Sequence, residues 1–455
     1  MTPLLALALL LQQGTPADTT AGRPCRVVID SMGHYREVPT APGEKITYGG
    51  GGVLAHCQET GTTIAADSFA HYSALGRLDL MRRVQIRDTG LALDANFASY
   101  FLRDERLEAR NNVVAVNRRN GSVLRGPNLR YWRAVRGVRD TVEMYATSRP
   151  TVEYRSAEEG DSAEPYIIVA DRIRFKGDDR MWAGGKVTVD RSDFSSRSDS
   201  LLLDQTQGFG VLVGHPSVEG RGREGEGEGG GTGAKSYTLV GTRIELVLEG
   251  REVRVVKALG HGKATGADWV LTADTIHLMI TDRMLQQTFA WGDSSRPNAV
   301  SSLNTIQSDS LAIDSPGEVL TESRAFGRAL SMAKRDSTTA AADMDWIAGD
   351  TLTARFAQET DSAGREQSRV QQILARGAAR ALTHHVDTRD TTTGPAINYS
   401  RGEQIVVAMK RDRIDRVVVA GKADGVHLEP RAAVAADSTR RATPAVTPPP
   451  PPPIP

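Results

Sequence analysis

The sequence predicts an all-β chain built from repeated antiparallel hairpin units, with two such arrays in tandem. Three observations carry this. A short phrase centred on Asp returns along the chain, as TTIAADSFAHY at Asp67, LALDANFASY at Asp94, YIIVADRIRF at Asp171, RSDSLLLD at Asp199, VLTADTIHLMI at Asp274, TIQSDSLAID at Asp309 and WIAGDTLTARF at Asp350. Apolar and polar residues alternate in each copy with a period of two, as in a strand with one buried face. The alternation changes phase at the Asp: three residues before it and two after it the residue is apolar, Ser196 and Asn96 being the exceptions. An inserted residue produces such a change by bending a strand through a bulge. Each Asp is therefore expected to mark a bend and to cap the backbone N–H groups freed there.

A second phrase, Gly185-Lys186-Val187, recurs at Gly262-Lys263-Ala264, Gly327-Arg328-Ala329, Gly377-Ala378-Ala379 and Gly421-Lys422-Ala423, with looser versions at Arg83-Val84 and Asn112-Val113. Gly suits a tight turn or a bulge. The unit reads as a strand, a polar turn, and a returning strand entered through Gly. Within the runs 67–94, 171–199 and 274–350, successive central Asp residues stand 27 to 41 apart, too far and too unevenly for a regular solenoid coil. Only residues 358–382 have the length and composition of a helix, and Gly377 stands there where the array requires a turn.

In chain order, the apolar run Leu4 to Leu11, followed by Thr15-Pro16-Ala17, marks residues 1–17 as a secretory signal peptide. Eight apolar residues are too few to span a bilayer as a helix. Cys25 and Cys57, the only cysteines, are an expected disulfide of an exported chain or, alternatively, two small buried residues. The first array covers 25–213. Residues 214–236, GHPSVEGRGREGEGEGGGTGAKS, have almost nothing to bury and read as a disordered linker. The second array covers 237–428. The tail, 429–455, ends in TPPPPPPIP and lacks the N–H donors a sheet needs.

Composition excludes several functions. Lys and Arg number 56 against 56 Asp and Glu, with no long basic block, so no nucleic-acid partner is expected. Aromatic residues are 5%, too few for the girdles of an outer-membrane barrel, which leaves a role peripheral to the membrane. The stretch Gly229 to Ser236 imitates a phosphate-binding loop, but Ala234 separates Gly233 from Lys235. His384-His385 would face opposite sides of a strand and has no acidic or Cys partner at ligand spacing, so a surface pair is expected and no metal. The repeated Asp residues could be imagined as paired catalytic carboxylates, yet they recur once per unit. No catalytic residue and no cofactor is expected. Arg82-Arg83 and Arg118-Arg119 could meet phosphorylated sugars, or be solvated turn charges.

The order of these phrases resembles the OstA-like family, which includes the LptA-like periplasmic bridge of lipopolysaccharide transport. The carrying residues are Ile64, Ala66, Asp67 and Tyr72, then Leu91, Asp94, Phe97 and Tyr100. Leu107, Ala109, Asn112 and Val113 follow, and then Gly121, Leu124, Gly126, Leu129 and Tyr131. The chain is longer than the usual single-domain bridge and lacks the translocon's C-terminal barrel. The resemblance implies a V-shaped antiparallel β-jellyroll, two splayed sheets around an apolar groove that shelters acyl chains. Its open ends would add strands from other β-jellyroll transport proteins. The groove residues it implies here are Ile64, Phe69, Leu91, Leu93, Phe97, Val113 and Val116.

The expectation is a non-enzymatic periplasmic protein, possessing no resident cofactor, that bridges lipopolysaccharide or a related glycolipid between membranes. Two alternatives stay open: a structural or adhesive β-array with a filled core, and a polysaccharide-modifying β-solenoid enzyme.

Overall fold

In the computed structural model the described residues are all-β, thirty strands in one hydrogen-bonded antiparallel network. Among the described residues the only helical turn is a 3-10 turn at Pro316–Glu318. The structure describes residues 26–429, except 59, 136, 156–163, 193, 221–236, 250–251, 267–268, 302–303, 334–343, 361–365, 386–394 and 411–412. The signal peptide, Cys25 and the tail from 430 lie outside the described residues. Two compact units divide between Gly184 and Gly185.

Unit 1 contains β1 (Val27–Ser31), β2 (His34–Ala41), β3 (Glu44–Cys57), β4 (Thr63–Tyr72), β5 (Arg77–Arg87), β6 (Leu91–Phe101), β7 (Arg106–Asn117), β8 (Val123–Trp132), β9 (Glu143–Thr147), β10 (Thr151–Tyr154), β11 (Tyr166–Val169), β12 (Arg172–Lys176) and the start of β13 (Arg180–Arg191). Strands β3 to β8 form a meander in which each pairs with the next along both of its halves. Where a crossing is interrupted, its halves count as separate strands: β9 and β10 both pair with β8.

The halves meet at a bend whose geometry follows from the two phrases. In the Asp strands successive buried positions step by three, from Ala66 to Phe69 in β4, which is the phase change seen in sequence. In the intervening strands they step by four, from Leu80 to Val84 in β5. The difference is one extra residue, visible as a register shift between Met81 and Val84 against β6. It is accommodated by a pair of consecutive residues with positive φ, Arg82 at 62° and Arg83 at 45°. Such left-handed pairs recur at Gly51-Gly52, Asn111-Asn112, Ser148-Arg149, Gly185-Lys186, Gly214-His215, Gly260-His261, Gly327-Arg328, Gly377-Ala378 and Gly421-Lys422.

Several expectations are corrected here. The Gly phrase does not open a returning strand; it is a bulge in mid-strand, because pairing continues on both sides of it. The bulge of its strand is Gly260-His261, two residues before Gly262. In β6 the corner residue is Asn96, since the step of three runs from Ala95 to Ala98. Asp94 stands two residues earlier and pairs with Arg87 at 2.6 Å. In place of the expected helix, residues 358–360 and 366–382 are strand.

Unit 2 continues with β14 (Phe194–Asp204), β15 (Phe209–Val213), β16 (Ser217–Gly220), β17 (Tyr237–Val240), β18 (Arg243–Glu249), β19 (Glu252–Thr265), β20 (Trp269–Thr281), β21 (Met284–Trp291), β22 (Asn298–Ser301), β23 (Asn304–Gln307) and β24 (Ser310–Asp314). It ends with β25 (Glu322–Ala333), β26 (Asp345–Thr360), β27 (Glu366–His385), β28 (Ala396–Lys410), β29 (Arg413–Ala420) and β30 (Asp424–Leu428). The expected linker therefore begins inside the fold, because β16 supplies pairing for β14 and β17.

The core consists of lateral rows of directly opposed side chains, which share one face of a sheet. In unit 1 one half carries Phe69, Leu80, Ala98, Ala109, Leu129 and Ala146 in register, all buried. The other half carries Ile64, Ile86, Leu93, Ala115, Leu124 and Val152, also buried. Both rows mix large residues with Ala. Each fully buried Leu or Phe contributes about 1.5–3 kcal/mol.

Candidate functional site: apolar interior and bent ridge

Five of the predicted groove residues, Ile64, Phe69, Leu91, Leu93 and Val113, lie buried on the inner face of unit 1. The ring of Phe69 lies across β3 at Gly49, where an added Cβ would come within 2.1 Å of it, so only Gly fits beneath it. Phe97 and Val116 are half-buried on the opposite face. Val116 cannot share a face with Val113, three residues away in a straight half-strand of period two. Phe97 occupies the outer position that Ser68 holds in β4, one residue past the corner at Asn96.

The interior of unit 1 is filled. Its inner rows enclose a cavity of about 30 Å³, lined from one half by Leu91, Ala115, Leu124 and Val152 and from the other by Met144 and Phe175. That is room for about one water. A larger cavity, about 430 Å³, lies between the turn 102–105 and the segment 132–139. Its charges are engaged with one another: buried Glu105 accepts a hydrogen bond from the Tyr100 hydroxyl, Arg133 stands 3.9 Å from Glu105, and Arg139 donates to the Arg133 carbonyl at 2.6 Å. Burial pushes the Tyr100 phenol up, and the bond to Glu105 adds to this.

The inner rows are uncovered at the chain's two ends. In unit 1 they begin with Ile29, opposite Ala55, and Tyr35, opposite Gly49, which are 38% and 63% exposed. In unit 2 an unbroken row of buried residues runs from Leu201 and Leu212 through Ile244 and Ile276 to Leu352 and Ile405. It ends on β29 at half-buried Val419, and in the adjacent inner row Val417, opposite buried Val407, is 37% exposed. β30 is exposed throughout.

The acids line the bends one per rung. Asp67 accepts from Arg83 at 2.8 Å, Asp171 pairs with Arg149 at 3.4 Å, and Asp199 stands 3.9 Å from His215. Asp309 holds both Arg328, at 2.8 Å, and Arg296, at 3.0 Å. The hydrogen bond from Arg328 is the main cause that keeps the Asp309 carboxyl below the usual carboxylate range. Asp350 packs against Gly377. The expected capping of backbone N–H groups is found at Asp274, which accepts from Ser294 N–H at 2.8 Å. Backbone hydrogen bonds, that of Ser295 first, hold its carboxyl low. At Asp67, Asp171, Asp199 and Asp309 the partner is the basic side chain of the neighbouring left-handed pair, whereas the pair beside Asp350 is Gly377-Ala378. These acids sit on separate rungs, and among the described residues no three His, Cys, Asp or Glu side chains gather as a metal site.

One further residue departs from expectation. His384 is no surface residue: its side chain is 4% exposed, and Nδ1 lies 2.9 Å from Asp345, which also accepts the His384 backbone N–H. Cys57 is buried and disulfide-bonded.

No protein-family model and no curated protein matches the chain. Among solved structures, one similar chain is the crystal structure of LptH, the LptA homologous periplasmic component of the lipopolysaccharide transport device from Pseudomonas aeruginosa. It is 13% identical, and the match covers 30% of this chain and 94% of that one at a TM-score of 0.24. At that score the likeness carries no weight, and the all-β assignment rests on the strand pairing itself. No helix among the described residues is long and apolar enough to cross a membrane.

Proposed function

We propose that the protein is a non-enzymatic bridge of the cell envelope, acting in the periplasm, which holds the acyl chains of lipopolysaccharide or a related glycolipid against its inner apolar rows. The observation that supports this is that those rows run out to solvent at Ile29 and Tyr35 and at Val417. A chain end can enter there and part the two halves. Parting exchanges apolar contact between the halves for apolar contact with lipid, so little hydrophobic burial is lost. The exposed strands β1–β2 and β29–β30 are the edges to which other β-jellyroll transport proteins would add strands.

Photo-crosslinkers placed at Ile29, Phe69 and Val417 in cells are expected to trap lipopolysaccharide, with Val116, on the outer face, as the comparison site. Adducts at the inner positions and none at Val116 support the reading; no inner adduct, or equal labelling at Val116, overturns it.

The filled interior around the cavity of about 30 Å³ favours a second reading, a structural array whose core never opens. Under that reading, stripping lipid from the purified protein leaves its melting temperature unchanged. The enzymatic alternative has less support, since the acids are spread over separate rungs.

A further inference from the structure

The outer face of unit 1 differs between its two halves. On the half that turns Phe69 and Leu80 inward, the residues between the inner ones point outward and form lateral rows across the strands. The row farthest from the bend reads Tyr72, Arg77, Phe101, Arg106 and Trp132 in register. It continues through Glu143 and Lys176 to Arg180. The middle row carries Asp79, Glu108, Arg130 and Arg174, and the row beside the bend adds Arg110 and Arg172. Basic residues thus outnumber the acids on this half. Three of them crowd around Glu108: Arg110 at 3.1 Å, Arg106 at 3.5 Å and Arg130 at 3.5 Å. One carboxylate balances only one of these charges. The rings of the outermost row hold guanidinium groups in place, Arg77 over Tyr72 at 4.4 Å and Arg106 over Phe101 at 4.1 Å. A stacked guanidinium keeps its N–H edge for an oxyanion and loses less freedom on binding one. The other half is balanced: Arg87 pairs with Asp94 at 2.6 Å and Arg125 with Glu153 at 3.4 Å. Among the described residues, its outer positions in β4–β8 and β10 carry no aromatic side chain.

The rim of the basic half is apolar. Leu75, in the turn between β4 and β5, is 57% exposed, and Val138, in the loop after β8, is 79% exposed. They border the same edge: the Leu102 N–H donates to the Gly76 carbonyl at 2.9 Å, and Leu102 and Val138 line one cavity. We propose that this face docks on a membrane surface rich in anionic phospholipid, with its guanidinium groups on headgroup phosphates and Leu75 and Val138 in the interfacial layer. The basic residues are spread in two dimensions, over three rows and the strands from β4 to β13, as a lipid surface requires; a linear polyanion follows one line. Exposed aliphatic residues at the rim, with Tyr72, Phe101 and Trp132 one row behind them, are what a membrane interface takes up. A soluble polyanion would leave Leu75 and Val138 in water. Each basic residue close to an anionic surface strengthens binding about fivefold. This proposal does not depend on the acyl-chain reading, and the vesicles that test it contain no lipopolysaccharide.

The test is co-sedimentation of the full-length protein with vesicles of phosphatidylcholine and phosphatidylglycerol, compared with vesicles of phosphatidylcholine alone. Binding to the anionic vesicles is expected to be tighter by about tenfold or more and to weaken with added salt. Arg110, Arg130 and Arg174 are each more than half exposed, so replacing them should leave the fold intact, which a urea midpoint equal to the parent's checks. Changing all three to Gln should weaken binding to anionic vesicles by about 100-fold, and changing them to Lys by far less. Arg87→Gln with Arg125→Gln, on the balanced half, should leave it within about twofold. Leu75→Ser with Val138→Ser should weaken it by about fivefold or more, while leaving retention on a heparin column unchanged. Equal binding to both kinds of vesicle, or a triple Gln variant that binds as the parent does, overturns the proposal. So does a Leu75→Ser, Val138→Ser chain that matches the parent on vesicles and is retained by heparin, since the partner would then be a soluble polyanion.

Discussion

The bends of the two units solve one geometric problem with different residues. In unit 2 the first residue of each left-handed pair at a bend is Gly; at Gly260 the neighbour is Thr242, and at four others an acid of the neighbouring strand fills the space the Gly side chain would take. An ideal Cβ would lie 2.4 Å from the Asp199 carboxylate at Gly214, 2.3 Å from Asp309 at Gly327, 2.1 Å from Asp350 at Gly377 and 2.5 Å from Glu403 at Gly421. In unit 1 the corresponding residues after Gly51 are Arg82, Asn111 and Ser148, which carry Cβ atoms in the same conformation. There Asp67 and Asp171 reach sideways to Arg83 and Arg149. Gly at these corners is therefore required less by φ than by the acid beside it, and where the acid turns aside the strained conformation alone is tolerated.

The largest effect that would break this comparison is expected at Gly377. Gly377→Ala combines a left-handed φ of 73° with a contact of 2.1 Å to Asp350. It should destabilise by about 2–4 kcal/mol, from a left-handed penalty of about 1–2 kcal/mol and the remainder from displacing the carboxylate. Adding Asp350→Ala should recover the second part, leaving about 1–2 kcal/mol in urea unfolding. Equal destabilisation with and without Asp350 would show that the carboxylate is not what the Gly makes room for.

A smaller effect of opposite sign is expected in unit 1. Arg82 adopts φ 62°, and Arg83 supplies the contact to Asp67. Arg82→Gly should stabilise by at most about 1 kcal/mol, the relieved strain exceeding the added chain entropy. A destabilised Arg82→Gly chain would mean that the Arg82 side chain itself supports the bend.

These two corners also show how much was legible in sequence. The phase change at the Asp is a side-chain pattern, legible in sequence at Asp67, Asp171, Asp199, Asp274, Asp309 and Asp350. The bulges of the intervening strands were legible where Gly marked them and, more loosely, at Arg83-Val84 and Asn112-Val113, Asn tolerating the left-handed region. Ser148-Arg149 carries no such mark. Asp94 misled because an acid two residues from the corner sits in a similar apolar setting. Alternation tells which side of a strand is buried but not how far apart two facing halves stand. The filled interior was therefore not readable, and neither were the uncovered ends at Ile29, Tyr35 and Val417, which depend on where pairing stops.

The smallest effect distinguishes the two kinds of acid by their response to pH. Asp309 is held below the ordinary carboxylate range chiefly by the hydrogen bond from Arg328. A carboxyl with a depressed folded value binds protons more readily in the unfolded chain. Its contribution is thus fully present above the unfolded value near pH 4 and is lost as pH falls through the lower folded value. Both partners are more than a third exposed, with side-chain exposures of 42% and 43%, so screening limits the pair to about 1 kcal/mol or less. Arg328→Ala should lower stability at neutral pH by no more than this and flatten the loss of stability below about pH 4, while retaining part of it through Arg296. Measured as the difference in urea midpoint between pH 7 and pH 3, the variant and the parent should converge at the acid end. A gap that persists at pH 3 would mean that Arg328 acts through the left-handed backbone it occupies, φ 44°, instead of through its charge.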